Sequence, residues 1–183
     1  MQKIENGSFL IAHTSLLEDT FFKSIILITH HSDEETIGLI INKPSKIMLH
    51  EIINDLPDSN FPVYVGGPVA KNSIHFIHQI GEEIPNSIKI MNDLYFGGDF
   101  EKVKKLIWEK KLDKNQIRFF AGYSGWEANQ LQNEIKEQSW FIKKKNKSMC
   151  MRYSDSELWS KIIRVMDEKY AIWSNLPKNP SLN

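Results

Sequence analysis

Cysteine is nearly missing from this chain of 183 residues: Cys150 stands alone, so no internal disulfide can form. Such a protein has to rely on a packed core, and its cysteine usage fits a reducing, cytoplasmic setting. Long apolar runs are also missing. None approaches the roughly 18 residues of a membrane-spanning helix. The opening MQKIENGSFLIAHTSLL lacks a basic start followed by a long apolar stretch, so no signal peptide is expected. Net charge is absent as well, since 23 basic and 23 acidic side chains cancel. A neutral whole lacks the basic excess of nucleic-acid-binding domains, and direct binding to DNA or RNA is not expected. The charge is nevertheless uneven. Residues 1–92 carry 6 basic and 11 acidic side chains, a balance of −5, and residues 93–183 carry 17 and 12, a balance of +5. That asymmetry can steer an acidic partner or mark two faces of one fold.

Several chemical signatures are absent too. There is no HExxH or Cys/His ligand set, no Gly-x-Gly-x-x-Gly and no Walker sequence. His30 and His31 are adjacent, and His75 and His78 are three apart; on a strand either spacing sends the rings to opposite faces. No metal and no cofactor are expected. Gly66-Gly67-Pro68 and Gly97-Gly98-Asp99 are read as tight turns, because Asp99 would repel a phosphate at the helix start it caps.

What is present is apolar bulk, 41% of residues with 11% aromatic, enough for one domain over 1–183 with a substantial core. FLIAH (9–13), SIILITH (24–30) and TIGLIINK (36–43) read as strands, the last two as a hairpin covered on both faces. MLHEIINDL (48–56) reads as a short helix ended by Pro57. PVYVGGP (62–68), IHFIHQI (74–80), SIKIM (87–91), LYFGGDF (94–100), RFFAGY (118–123) and SWFIKK (139–144) continue the strands. Three longer helices follow Asp99, span 127–137 and span 155–170. The tail, about 174–183, is irregular. Several neighbouring strands are joined by links too short for a parallel crossover, so the expected fold class is α+β, or a loosely alternating α/β arrangement, with a mixed, largely antiparallel sheet covered by the three helices.

FFAGYSGWEANQ (119–130) looks like a strand-to-helix turn that presents Ser124. The nucleophile elbow requires Gly-x-Ser-x-Gly; here Trp126 takes the place of the closing glycine. All six histidines (13, 30, 31, 50, 75 and 78) precede the serine. Ser124 is therefore read as part of a turn. Cys150 is read as a plain thiol, and the basic run 143–147 as a solvated loop.

GSFLIAHTSLLEDTFFKSIILITHH, GLIINKP, PVYVGGPV, FIH, GYSGWEANQLQNEI and SWF, in that order, resemble the YqgE/AlgH family across essentially the whole chain. The resemblance implies a bacterial cytoplasmic protein with a curled, partly barrel-like mixed sheet and no established activity. One branch is linked to transcriptional regulation of an exopolysaccharide pathway. The family commonly has alanine where Ser124 stands, which argues against a catalytic hydroxyl. It commonly has glycine where Asn129 stands, Met-Pro in place of His13-Thr14, and Gly-Ala in place of Glu35-Thr36.

The reading is a non-catalytic binding or regulatory factor whose protein or small-molecule partner the sequence does not name. Its candidate ligand residues are Asn42, Lys43, Gly66, Gly67, Tyr123 and Trp126. Lys43 supplies charge, Asn42 an amide, Trp126 a stacking face and the glycines backbone access. The competing reading makes Tyr123 and Trp126 core anchors and has Asn42 satisfy buried backbone. The enzymatic alternative is a hydrolase or transferase acting on a small anionic or nucleotide-like substrate.

Overall fold

A computed structural model describes residues 3–144, 147–151 and 157–166. Among these described residues ten strands form one sheet: β1 (Phe9–Ala12), β2 (Ile25–His31), β3 (Glu35–Ile40), β4 (Pro44–Met48), β5 (Pro62–Val65), β6 (Val69–His78), β7 (Ile88–Met91), β8 (Leu94–Phe96), β9 (Ile117–Glu127) and β10 (Trp140–Lys143). The main path runs β10-β1-β2-β3-β9-β6-β8-β7, with β4 paired to β5 and β5 to β9. Every pairing is antiparallel except β5 with β9, so the sheet is mixed. The helices are α1 (Leu49–Ile52), α2 (Phe100–Trp108), α3 (Gln130–Lys136), α4 (Lys147–Cys150) and α5 (Leu158–Met166). The architecture is α+β, and the sheet is curled without closing into a barrel.

Alternation along the strands produces the layers. Phe9, Ile11, Ile25, Leu27 and Leu39 face α5 in one core; Leu10, Ala12, Ile26, Ile28 and Ile40 face α3 in another. That is why β1 and β2 carry apolar residues at consecutive positions, as expected for strands covered on both faces. The α5 core also takes Ile90 from β7 and Leu94 from β8. The two ends of the sheet share one cluster, which is the physical content of the curl. A third core lies under α2, where Val103, Leu106 and Ile107 are buried. Asp99 caps α2 as read from the sequence, its Oδ1 accepting from Glu101 N (2.9 Å) and Lys102 N (3.2 Å).

Several expected elements differ: β6 starts at Val69 rather than Ile74, α3 starts at Gln130 rather than Glu127, and α4 is unanticipated. The helix expected over 48–56 is the single turn α1, preceded by the unanticipated strand β4. Sheet pairing of Pro44 with Tyr64 and Met48 with Pro62 holds the chain extended up to Met48, and the helix closes after one turn because Ile53 is extended at φ −116° and ψ 96°. The strand expected to stop at Tyr123 continues to Glu127, because Thr36 and Gly38 of β3 pair with Trp126 and Ser124. Ser124 therefore sits inside a strand and turns no corner. The turn comes later, at Asn129, which is left-handed at φ 64°. This is a backbone state that asparagine tolerates better than most residues. The last helix is described over Leu158–Met166; its expected start at 155–156, its end at 167–170 and the tail lie outside the described residues.

Candidate functional site

β5 runs parallel to β9 along one edge, with Val63 opposite Phe119 and Val65 opposite Ala121. β6 runs antiparallel along the other edge, with Ile74 opposite Ala121 and Phe76 opposite Phe119. Gly66-Gly67-Pro68 joins these two strands, so the chain must cross β9. It crosses in backbone contact. A Cβ on Gly66 would lie 2.1 Å from the Gly122 oxygen, and one on Gly67 2.2 Å from the Tyr123 carbonyl. Gly122 itself is left-handed at φ 68°. Gly66 N donates to Ala121 O (2.8 Å), and Gly66 O accepts from Ile40 N (2.9 Å) and Ser124 Oγ (3.3 Å). The backbone access expected for a ligand is occupied by the protein's own chain.

Asn42 and Lys43 reach the same junction through Val65 N, which donates to Lys43 O at 2.9 Å. Asn42 is 7% exposed. Its Oδ1 accepts from Ile25 N (2.8 Å) and its Nδ2 donates to Lys23 O (2.9 Å). Lys43 Nζ donates to Asp19 O and Thr20 O, both at 2.8 Å. Burial lowers the Lys43 pKa, with Asp19 opposing. Both side chains bind the 19–25 segment to the end of β3, so the structural role weighed for Asn42 is the one it fills.

The left-handed Gly122 shifts the alternation of β9. Phe120 and the half-buried Tyr123 pack on the α5 core, whereas Trp126 packs in the α3 core. The Tyr123 ring meets His75 edge-on at 5.5 Å, and His75 stacks on Phe96 at 6.1 Å. Trp126, 5% exposed, donates its Nε1–H to Glu134 Oε2 (2.9 Å). Trp140 donates to the same oxygen at 2.7 Å, and Gln130 Nε2 donates to Oε1 at 3.0 Å. The six candidates thus divide. Asn42, Lys43, Gly66, Gly67 and the Tyr123 backbone meet at the crossing, and Trp126 lies on the other face as a core anchor. Sequence reasoning missed Glu134; its signal is a carboxylate one helical turn after the buried Leu131, on an amphipathic helix flanked by two tryptophans.

The remaining candidates have structural partners. Ser124 is fully buried. Arg118, also missed, is 2% exposed, lies 4.0 Å over the Tyr64 ring and donates through Nη1 to Cys150 O at 2.6 Å. Burial pushes the Cys150 thiol up to about 12 despite Arg118, so no reactive thiolate forms at neutral pH. His31 Nδ1 lies 2.7 Å from Thr36 Oγ1, whereas His78 Nε2 lies 2.9 Å from Ser87 Oγ and 3.1 Å from Gly97 O. The two rings share no partner. Among the described residues no group of three or more His, Cys, Asp or Glu side chains could hold a metal ion.

His78 is fully buried, and its Nδ1 has no hydrogen-bond partner among the described residues. Burial lowers its pKa from the ordinary 6.5 although the Gly97 carbonyl opposes, and burial likewise lowers His75. Below pH 6.5 the unfolded chain therefore takes up protons that the folded chain resists. This contribution to stability is complete above pH 6.5 and is lost as pH falls toward and through the depressed values. Denaturant midpoints are expected to drop between pH 7.5 and pH 5.5. A midpoint that is unchanged or rises would contradict the buried neutral His78.

A family model described as AlgH-like matches residues 9–171. The chain belongs to the AlgH-like family. A UPF0301 protein of Bacteroides fragilis is 39% identical over 178 residues, covering 97% of this chain and 90% of the relative. One from Chlorobium limicola is 35% identical over 181 residues, covering 99% and 97%. Among solved structures, a Corynebacterium diphtheriae protein superposes with a TM-score of 0.76 at 23% identity, covering 96% of this chain and 94% of its own. The AlgH protein from Pseudomonas aeruginosa does so at 0.73 and 20%, covering 97% and 99%. These two likenesses carry the fold: the AlgH-like sheet is common to all three. No helix among the described residues is long and apolar enough to cross a membrane.

Proposed function

We propose that this AlgH-like protein is a cytoplasmic binding or regulatory factor that performs no catalysis, and that any effect on transcription runs through a partner. One observation carries this reading. The hydroxyl of Ser124, the amide of Asn42 and the ammonium of Lys43 are all spent on the protein's own backbone carbonyls and amides, so none of these three groups is aimed at a substrate. The rival reading, a hydrolase or transferase on a small anion, has its best foothold in the 2.9 Å contact between Ser87 Oγ and His78 Nε2. Among the described residues no carboxylate orients His78 Nδ1, unlike the base of a nucleophilic triad, and the ring is buried.

The test is turnover of p-nitrophenyl acetate, p-nitrophenyl phosphate and ATP by the wild type, Ser124→Ala and His78→Gln. No turnover above buffer is expected. Ser124→Ala is expected to cost about 1 kcal/mol or less, the worth of one neutral hydrogen bond, read from denaturant melts. Turnover abolished by either substitution in a folded variant would overturn the reading.

A further inference from the structure

Two grooves on the surface differ in how their charges are used. One, against α2, is lined by Asp55, Glu101, Lys104, Lys105, Trp108 and Glu109. Its charges pair among themselves: Lys104 with Asp55 and Glu101, Lys105 with Glu109. The Trp108 indole donates to Asp55 O. Nothing there is left over for a ligand.

The other groove, of about 370 Å³, lies between the N-terminal segment, α3 and β10. That volume suits a small organic molecule. Ile4, Ile135 and Ile142 give it an apolar wall, and Lys3, Gln132 and Lys136 surround that wall with polar ends. Helix geometry explains the assembly. Gln132, Ile135 and Lys136 are three and four residues apart and share one face of α3, whereas Leu131 and Glu134 face the tryptophan pair. Asn129, held left-handed at the helix start, lies on the groove side. Among the described residues the side chains of Lys3, Asn129, Gln132 and Lys136 make no hydrogen bond or ion pair, so two cations and two amides border an apolar surface whose lining holds no carboxylate. His31 closes one wall. Lys3 acts on its ring electrostatically, as do His30 and the acidic Asp33.

We propose that this groove binds a small amphiphilic anion: a short apolar chain against Ile4, Ile135 and Ile142, with a carboxylate or phosphate head held by Lys3 and Lys136. The proposal rests on the reading of the protein as a binding factor and gives it a ligand class and a site. An anionic head suits the two unpaired lysines, and an apolar body gains by leaving water for the isoleucine wall.

The experiment titrates octanoate, octyl phosphate and neutral octanol into the full-length protein, followed by amide NMR shifts and calorimetry. The variant is Lys3→Glu/Lys136→Glu, two exposed changes whose folding is checked by thermal melt. At least one anion is expected to shift the Lys3, Gln132 and Ile135 amides and to bind about ten-fold more weakly to the variant, the scale of two partly screened charges. Octanol is expected to bind equally to both proteins. Preference for octanoate or for octyl phosphate tells which head the site takes. Equal anion affinity in the variant, shifts confined to other regions, or no binding would overturn the groove assignment while leaving the non-catalytic reading to its turnover test. A bound anion recovered chemically altered would keep the groove and overturn that reading.

Discussion

Gly67→Ala is expected to destabilise the fold by about 3 kcal/mol or more, at the upper end of what overpacking costs, and to leave little folded protein in a marginally stable domain. The reason is local. A Cβ at this position would sit 2.2 Å from the Tyr123 carbonyl carbon and oxygen and 2.4 Å from Ser124 N, and these are backbone atoms of a central strand. They cannot move without breaking the pairing of β9 with β3 and β6. Gly66→Ala meets the Gly122 oxygen in the same way. Gly97→Ala is the control: its φ of 62° is unfavourable for alanine, but nothing lies within 4 Å of the added carbon. That substitution is expected to cost only about 1 kcal/mol, the strain of a left-handed residue. Denaturant melts of the three variants give the comparison. If Gly67→Ala and Gly97→Ala cost the same, the crossing is not held by backbone contact.

This crossing also marks where sequence reading stops. The β2–β3 hairpin was legible because its apolar runs and polar link are local, and α2 was legible because Asp99, Val103, Leu106 and Ile107 lie within three turns. The course of β9 was not. Tyr-Ser-Gly-Trp carries the glycine and serine of a turn, yet a partner strand some ninety residues earlier, Glu35–Gly38, holds it extended. β4 was hidden for the same reason, since its pairing with β5 is the fact that decides its conformation. The signature residues were legible as a set, and the resemblance placed them together. Their roles were not legible, because an asparagine that binds a ligand and one that satisfies buried backbone look alike until their partners are seen. Trp126 shows the same limit. Its face of β9 depends on the left-handed Gly122, which reverses the alternation that a simple period of two would give.

Asn42→Ala is the second large effect expected, about 3 kcal/mol. The amide bridges Lys23 O and Ile25 N across a buried turn. Its removal strands the buried Ile25 N–H and leaves the half-buried Lys23 carbonyl without its donor, at a cost of roughly 1–3 kcal/mol for each group. Asn42→Asp keeps the acceptor for Ile25 N but turns a carboxylate oxygen toward the Lys23 carbonyl, so it is expected to be no better than alanine at neutral pH. Lys43→Met, which keeps the apolar stem while losing two donations to Asp19 O and Thr20 O, is expected to cost less, about 1 kcal/mol, because these contacts lie partly in water. The order alanine and aspartate well below methionine, measured as denaturant midpoints, is what a backbone staple predicts. A binding residue would behave in the opposite way: Asn42→Ala would fold with wild-type stability and lose its ligand or partner. That outcome would return the crossing to the list of sites, with Lys43 as its charge.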